Sequence, residues 1–281
     1  MYNIETIKQT MFEIFDESKQ IKPYVVFCSP RRNLDEIPAQ ELNHAHKMHI
    51  DVMGYSHAYG NVGGEKVDVA RNYLIEEAIN SGAKYMFFVG EDTVIPKNGF
   101  TLLHETALKN PNSIIVGVYW IKLGAPMVMV RDGDYIVPSY AGKDDKPFEI
   151  WQAGMDAMLI PISILKTMKE QQPDNPFCCI HSERNGGFER NGEQLGFVGE
   201  DNYFYHRVRK AGFNIICDPR VQCLHMDLAT GKYTASMDID ENDYRTLIPL
   251  NGRLTNADSD YIQKRWHDRI PKKEFDTNVN S

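Results

Sequence analysis

Cysteine is scarce in this sequence: Cys28, Cys178, Cys179, Cys217 and Cys223 are the only five among 281 residues. An odd number at these spacings gives neither a disulfide framework nor a zinc knuckle, so reduced thiols in a cytosol-like compartment are expected. An excess of positive charge is also missing. Lys and Arg total 31 against 39 acidic residues, a net charge of −8, which excludes a broadly basic nucleic-acid surface but leaves room for a local patch. No apolar run is long enough to span a bilayer. The opening MYNIETIKQTMFEIFDESK lacks the apolar stretch of a signal peptide. Its Ile4, Ile7, Met11, Ile14 and Phe15 fall at helical spacing and predict an amphipathic helix. Internal repeats are absent. What remains, 42% hydrophobic and 25% charged residues, is an ordinary globular composition, and a soluble, cytoplasmic protein is the expectation.

Apolar runs and turn residues then alternate along the chain. YVVFCSP (Tyr24 to Pro30) reads as a buried first strand ended by Ser-Pro, with Arg31 and Arg32 in the loop after it. HIDVMGY reads as a second strand and GNVGG (Gly60 to Gly64) as a flexible loop. EKVDVARNYLIEEAINSG carries a helical stripe closed by Gly82. YMFFVG is the next strand, Asn98 to Leu108 a helix, SIIVGVYW a strand, and PMVMVRDGDYIVP a hairpin turning at Asp132-Gly133. WQAGMDAMLIP predicts one strand, followed by a helix from Ile162 to Glu170. Residues 173–197, rich in Gly, Asn, Arg and Pro, read as a long functional or mobile loop. A helix from Glu200 to Ala211 and a strand FNIICD close the pattern. This order predicts an α/β fold with a mostly parallel sheet flanked by helices. The expected domain covers 1–227, and 228–281 reads as an irregular C-terminal extension.

In such sheets ligands bind beyond the carboxyl ends of the strands. The buried run FFVG ends there in two carboxylates, Glu91 and Asp92. Carboxylate oxygens suit Mg2+ or Mn2+, although an acidic pair also suits a solvated loop or a helix cap. A second pair, Glu200 and Asp201, opens the helix of GEDNYFYHRVRK. There it fits either a capping role at the positive helix end or a general base beside an acceptor hydroxyl. His225, in CLHMD, is a metal-ligand candidate or a structural histidine. Arg71 and Asn72 open a helix after a glycine loop, suited to a nucleotide or to an ordinary helix face. HAHKMH (His44, His46, His49) and Cys178-Cys179-Ile180-His181 have poor ligand spacing. The HRVRK run, His206 to Lys210, reads as a solvated helix face.

The sequential order of these features over Tyr24 to Asp227 resembles the GT-A glycosyltransferases, particularly family-2-like enzymes of bacterial or bacteriophage type. GEDNYFYHRVRKAGFNIICDPRVQCLHM, the most specific stretch, looks like that family's acidic pair, helix, Ala-Gly, strand, Asp-Pro and His block. The resemblance implies a Rossmann-like GT-A sheet. It implies Asp92 and His225 as ligands of Mn2+ or Mg2+, with Gly90 standing where the family's acidic motif has its first Asp. Asp201, with Glu200 as second choice, matches the catalytic base. Ser29, Pro30, Arg71, Asn72 and Glu91 fall on the nucleotide-sugar side, and Trp151 and Gly154 on the sugar or acceptor side.

The expected activity is transfer from a nucleotide sugar, with UDP as the expected carrier, to a soluble acceptor hydroxyl. A glycan, a protein or a modified DNA base such as a hydroxymethylated one would serve as acceptor. Arg184, Arg190, Arg207, Arg209 and Lys210 are the candidates for a local basic groove. Two other readings stand beside it. A nucleotidyltransferase would want glycine in the loop after strand one, and SPRRNLDEIP has none. A non-catalytic nucleotide-sugar-binding protein is motivated by Gly90. Donor sugar, stereochemical outcome and oligomeric state are not written in these residues.

Overall fold

The computed structural model describes residues 23–31, 57–96, 98–118, 126–132, 135–138, 146–182, 188–190, 193–195, 197–227 and 232–234. The expected N-terminal helix, the strand at 49–55, the HAHKMH histidines and most of the extension after 227 lie outside them.

In chain order the first half runs β1 (Val25–Arg31), β2 (His57–Gly63), α1 (Val67–Asn80), β3 (Tyr85–Val89), β4 (Thr93–Val94), α2 (Gly99–Lys109) and β5 (Ser113–Val118). Then come β6 (Val128–Asp132), β7 (Tyr135–Pro138), β8 (Phe148–Glu149), β9 (Gln152–Ala153), β10 (Ala157–Pro161) and α3 (Ile162–Gln171). Short strands β11 (His181–Ser182), β12 (Phe188–Arg190), β13 (Glu193–Leu195) and β14 (Phe197–Val198) lead to α4 (Glu200–Lys210). The described chain closes with β15 (Asn214–Gln222), β16 (Leu224–Asp227) and β17 (Lys232–Thr234).

The main sheet has the order β2-β1-β3-β10-β5-β15-β8. Strands β2, β1, β3, β5 and β15 run one way, and β10 and β8 run against them. This is the expected mixed α/β architecture, mostly parallel and flanked by helices. The period-2 alternation of strands sorts the side chains between two faces. Val26, Cys28, Met86, Phe88, Ile114, Val116, Met158 and Ile160 point to the face covered by α1, α3 and α4. Val25, Phe27, Phe87, Ile115 and Leu159 point to the face covered by α2 through Phe100, Leu103 and Ala107. Burial on both faces explains why these strands read as continuous apolar runs. Helices α1 and α4 are followed by Gly82 and Gly212 at φ +70° and +87°, the left-handed conformation that suits glycine.

Four sequence expectations are corrected. GNVGG is not a loop, since its first four residues belong to β2, paired in parallel with β1 from Val25↔His57 to Arg31↔Gly63. WQAGMDAMLIP is not one strand but two, β9 and β10, separated by a bend at Gly154-Met155-Asp156. The stretch 173–197 contains three strands and the start of a fourth; β11 pairs with β14 and β12 with β13. The HRVRK run is not solvated throughout: Lys210 is exposed, but Arg207 is 1% exposed and donates to the carbonyls of Met168, Gln172, Asn175 and Pro176.

Candidate active site

Backbone pairing assembles the site. The antiparallel ladder of β3 and β10 ends with Val89 opposite Ala157. One step further Gly90 N donates to Asp156 O at 3.0 Å, so Gly90 and Asp156 face each other as the next cross-strand pair. Opposed residues in such a ladder put their side chains on the same face. The chain then turns through Glu91 and Asp92 into β4, with Thr93 N donating back to Gly90 O. β4 pairs antiparallel with β16, Thr93 opposite His225. Two pairings of remote strands thus deliver Asp156 and His225 to Asp92.

The three groups offer ligand atoms within 4.8 Å of one another, and His225 Nε2 lies 3.5 Å from Asp92 Oδ1. Glu91 and Asp92 are buried and cap no helix, because α2 starts only at Gly99. Two carboxylates and an imidazole, converging from three strand ends, form a donor set suited to a hard or borderline divalent ion.

Arg71, on the second turn of α1, is 5% exposed. Its Nη1 donates to Glu200 Oε1 at 2.6 Å and its Nη2 to Asp156 Oδ1 at 3.2 Å. Burial alone would lower its pKa; the charges of Asp156, Glu200 and Asp201 outweigh that and hold the guanidinium above its ordinary value. Arg71 therefore sits permanently charged between the two acidic groups of the site.

Asp201 differs from its neighbour. Burial and the charge of Glu200 push its carboxyl from 3.8 up to about 6, against the opposing pull of the Asn202 N–H and of Arg71. Asn202 N donates to its Oδ1 at 2.7 Å. Gly199 leaves space for it, since a Cβ there would meet Asp201 Oδ1 at 2.9 Å. A carboxylate destabilised in this way is a better proton acceptor than an ordinary one.

These residues surround a cleft of about 390 Å3 that also meets Pro30, Glu91 and Gly90. Of the residues singled out in the sequence, Pro30, Arg71, Glu91, Asp92, Glu200, Asp201 and His225 line it. Ser29, Asn72, Trp151 and Gly154 do not. Asn72 uses its amide on the backbone of Cys178, donating to the carbonyl at 2.7 Å and accepting the N–H at 2.8 Å. Trp151 is stacked by the Arg209 guanidinium at 3.9 Å from the ring centre, and Gly154 O accepts the buried hydroxyl of Tyr205 at 3.0 Å. Asp156 was missed by sequence reasoning. Its signal was a lone acid in the bend before an apolar strand, legible only once that strand is paired with the one ending at Gly90.

No protein-family model matches the chain, and no curated protein sequence matches it. Solved structures similar to it include A197 from STIV, 13% identical with a TM-score of 0.49, over 82% of this chain and 99% of that one. GalNAc-T7, solved with UDP, GalNAc and Mn2+, is 9% identical with a TM-score of 0.42, over 76% of this chain and 46% of that one. A glycosyltransferase involved in glycosylation of the major capsid of PBCV-1 is 14% identical with a TM-score of 0.31, over 55% and 69%. Among the described residues no helix is long and apolar enough to cross a membrane.

Proposed function

We propose that this protein is a metal-dependent glycosyltransferase that moves a sugar from a nucleotide sugar, with UDP as the expected carrier, to an acceptor hydroxyl. The observation that carries this reading is the convergence of both acidic pairs on one cleft, one beside the Asp92–Asp156–His225 group and the other against Arg71. A divalent ion, Mn2+ or Mg2+, held by Asp92, Asp156 and His225 would supply a Lewis acid at the departing diphosphate.

The chain's own residues divide the remaining work. Asp201 takes the proton of the acceptor hydroxyl as its oxygen attacks the anomeric carbon. Glu200, engaged by Arg71 at 2.6 Å, positions that arginine instead. Pro30 and Glu91, which line the cleft, would contact the nucleotide. Modified DNA is the least favoured acceptor, because Arg207 is consumed by main-chain carbonyls and Arg209 by Trp151. A soluble glycan or protein hydroxyl is preferred.

A panel of nucleotide sugars titrated calorimetrically, with Mn2+ and then with EDTA, tests the reading. One UDP-sugar should bind with metal and lose at least about tenfold in affinity without it. Failure of every nucleotide sugar to bind folded protein would end the proposal.

A further inference from the structure

We propose that Asp156 is the transposed counterpart of the carboxylate absent at position 90, so that the ligand set is completed from the facing strand and not from the Gly90-Glu91-Asp92 segment. The inference rests on the metal reading above and specifies which side chain makes it possible.

Steric exclusion is the first support. A Cβ on Gly90 would lie 2.7 Å from Cβ and Cγ of Asp156 and 2.8 Å from its Oδ1. The volume that a side chain at 90 would occupy is therefore filled by the carboxyl group of Asp156, and the two positions cannot both carry side chains without a shift. Register is the second. Gly90 and Asp156 are opposed across the β3–β10 ladder, joined by the bond from Gly90 N to Asp156 O, so a carboxylate on either would enter the same face. Convergence is the third: Asp156 comes within 4.8 Å of ligand atoms on Asp92 and His225. A bulky or apolar residue at 156 would satisfy the packing beside a glycine equally well; a carboxylate aimed at two further ligand types is what metal binding requires.

An alternative role for Asp156 is to serve only as the ion-pair partner of Arg71, at 3.2 Å. Binding of Mn2+ alone, followed by electron paramagnetic resonance of the free ion and by calorimetry on the full chain, separates the two. The wild type should bind Mn2+. Asp156→Asn, which keeps the shape, should weaken binding about tenfold or more. Gly90→Asp alone should also weaken it, through the clash with Asp156. The double variant Gly90→Asp/Asp156→Gly, carrying the carboxylate on the opposite strand, should recover affinity to within about threefold of wild type. Melting curves identify which variants are folded.

Wild-type affinity in folded Asp156→Asn overturns the transposition while leaving metal binding intact. A folded double variant that binds no better than Asp156→Asn also overturns it. No Mn2+ binding by the wild type removes the metal reading and this inference together. Loss in Asp156→Asn with recovery in the double variant supports both.

Discussion

Glu200 and Asp201 are adjacent and chemically alike, yet their surroundings differ. Arg71 holds the first at 2.6 Å, while burial and the charge of the first push the carboxyl of the second up to about 6. In the role of base proposed for it, Asp201 must be ionised, so activity should rise with pH through about 6 and level off above it. A pH–rate profile checks this, and Asp201→Asn should lower kcat by ~100-fold or more. The stability effect has the opposite sign. Because the folded pKa lies above the unfolded value of 3.8, the folded state binds the proton more tightly. The cost of keeping Asp201 ionised is present above pH 6 and disappears as pH falls towards 3.8. Asp201→Asn should therefore raise stability at pH 7.5 by ~1–2 kcal/mol, a Tm increase of roughly 2–6 °C, with little change at pH 4. Gly199 belongs to the same scale. Its φ of −66° suits alanine, so Gly199→Ala should leave Tm within about 2 °C. The added Cβ, 2.9 Å from Asp201 Oδ1, should displace that carboxylate and lower kcat about tenfold or more, which paired melting and rate measurements would read.

At the scale of elements, what was legible had a local cause. The runs at Val25, Tyr85, Ser113 and Ala157 became central strands because burial on both faces demands unbroken apolar sequence. Helices α1 and α4 were legible from their apolar stripes, and the end of α1 also from Gly82. The acids at 91 and 92 stood out because charge at the end of a buried strand is anomalous, whereas Asp201, an ordinary acid in a first helical turn, was set apart only by the family resemblance. GNVGG misled because glycine promotes turns locally, whereas its first four residues are recruited by pairing with β1, a distant main-chain contact that composition does not encode. Asp156 and the working arrangement around Gly90 were hidden for the same reason. Residues 90 and 156 meet only through strand register, and a one-residue slip would place that carboxylate on the other face. Arg207 was misread because periodicity cannot distinguish a charge in water from one surrounded by four carbonyls.

Across the whole molecule, the face opposite the acid-bearing helices is fastened by the Asp-Pro segment of β15. Asp218, fully buried, accepts from Thr106 Oγ1 at 2.7 Å and from Arg220 Nη2 at 2.7 Å, tying α2 to the sheet. Asp218→Ala leaves those donors without their acceptor and should cost about 3 kcal/mol. The corresponding fall in Tm is roughly 6–12 °C for a domain of this size. Because Asp218 lines no part of the cleft, Mn2+ affinity in the folded variant should stay within about threefold of wild type. Thermal melts and metal titrations on one preparation would check both statements.

The contacts of Asn72, Arg207 and Arg71 have a joint mechanical consequence. From α1, Asn72 grips the backbone of Cys178. The short chain leading back from Cys178 reaches Asn175 and Pro176, whose carbonyls Arg207 of α4 grips. Glu200, at the other end of α4, returns to Arg71 beside Asn72. The path closes on itself as a loop in which α4 and the 175–178 segment are both tied to adjacent residues of α1. α4 is thereby tied to α1 directly through Glu200 and indirectly through the 175–178 segment, and both ties resist its moving away from α1. If the cleft opens, the movement is expected on the sides that these contacts leave unbraced.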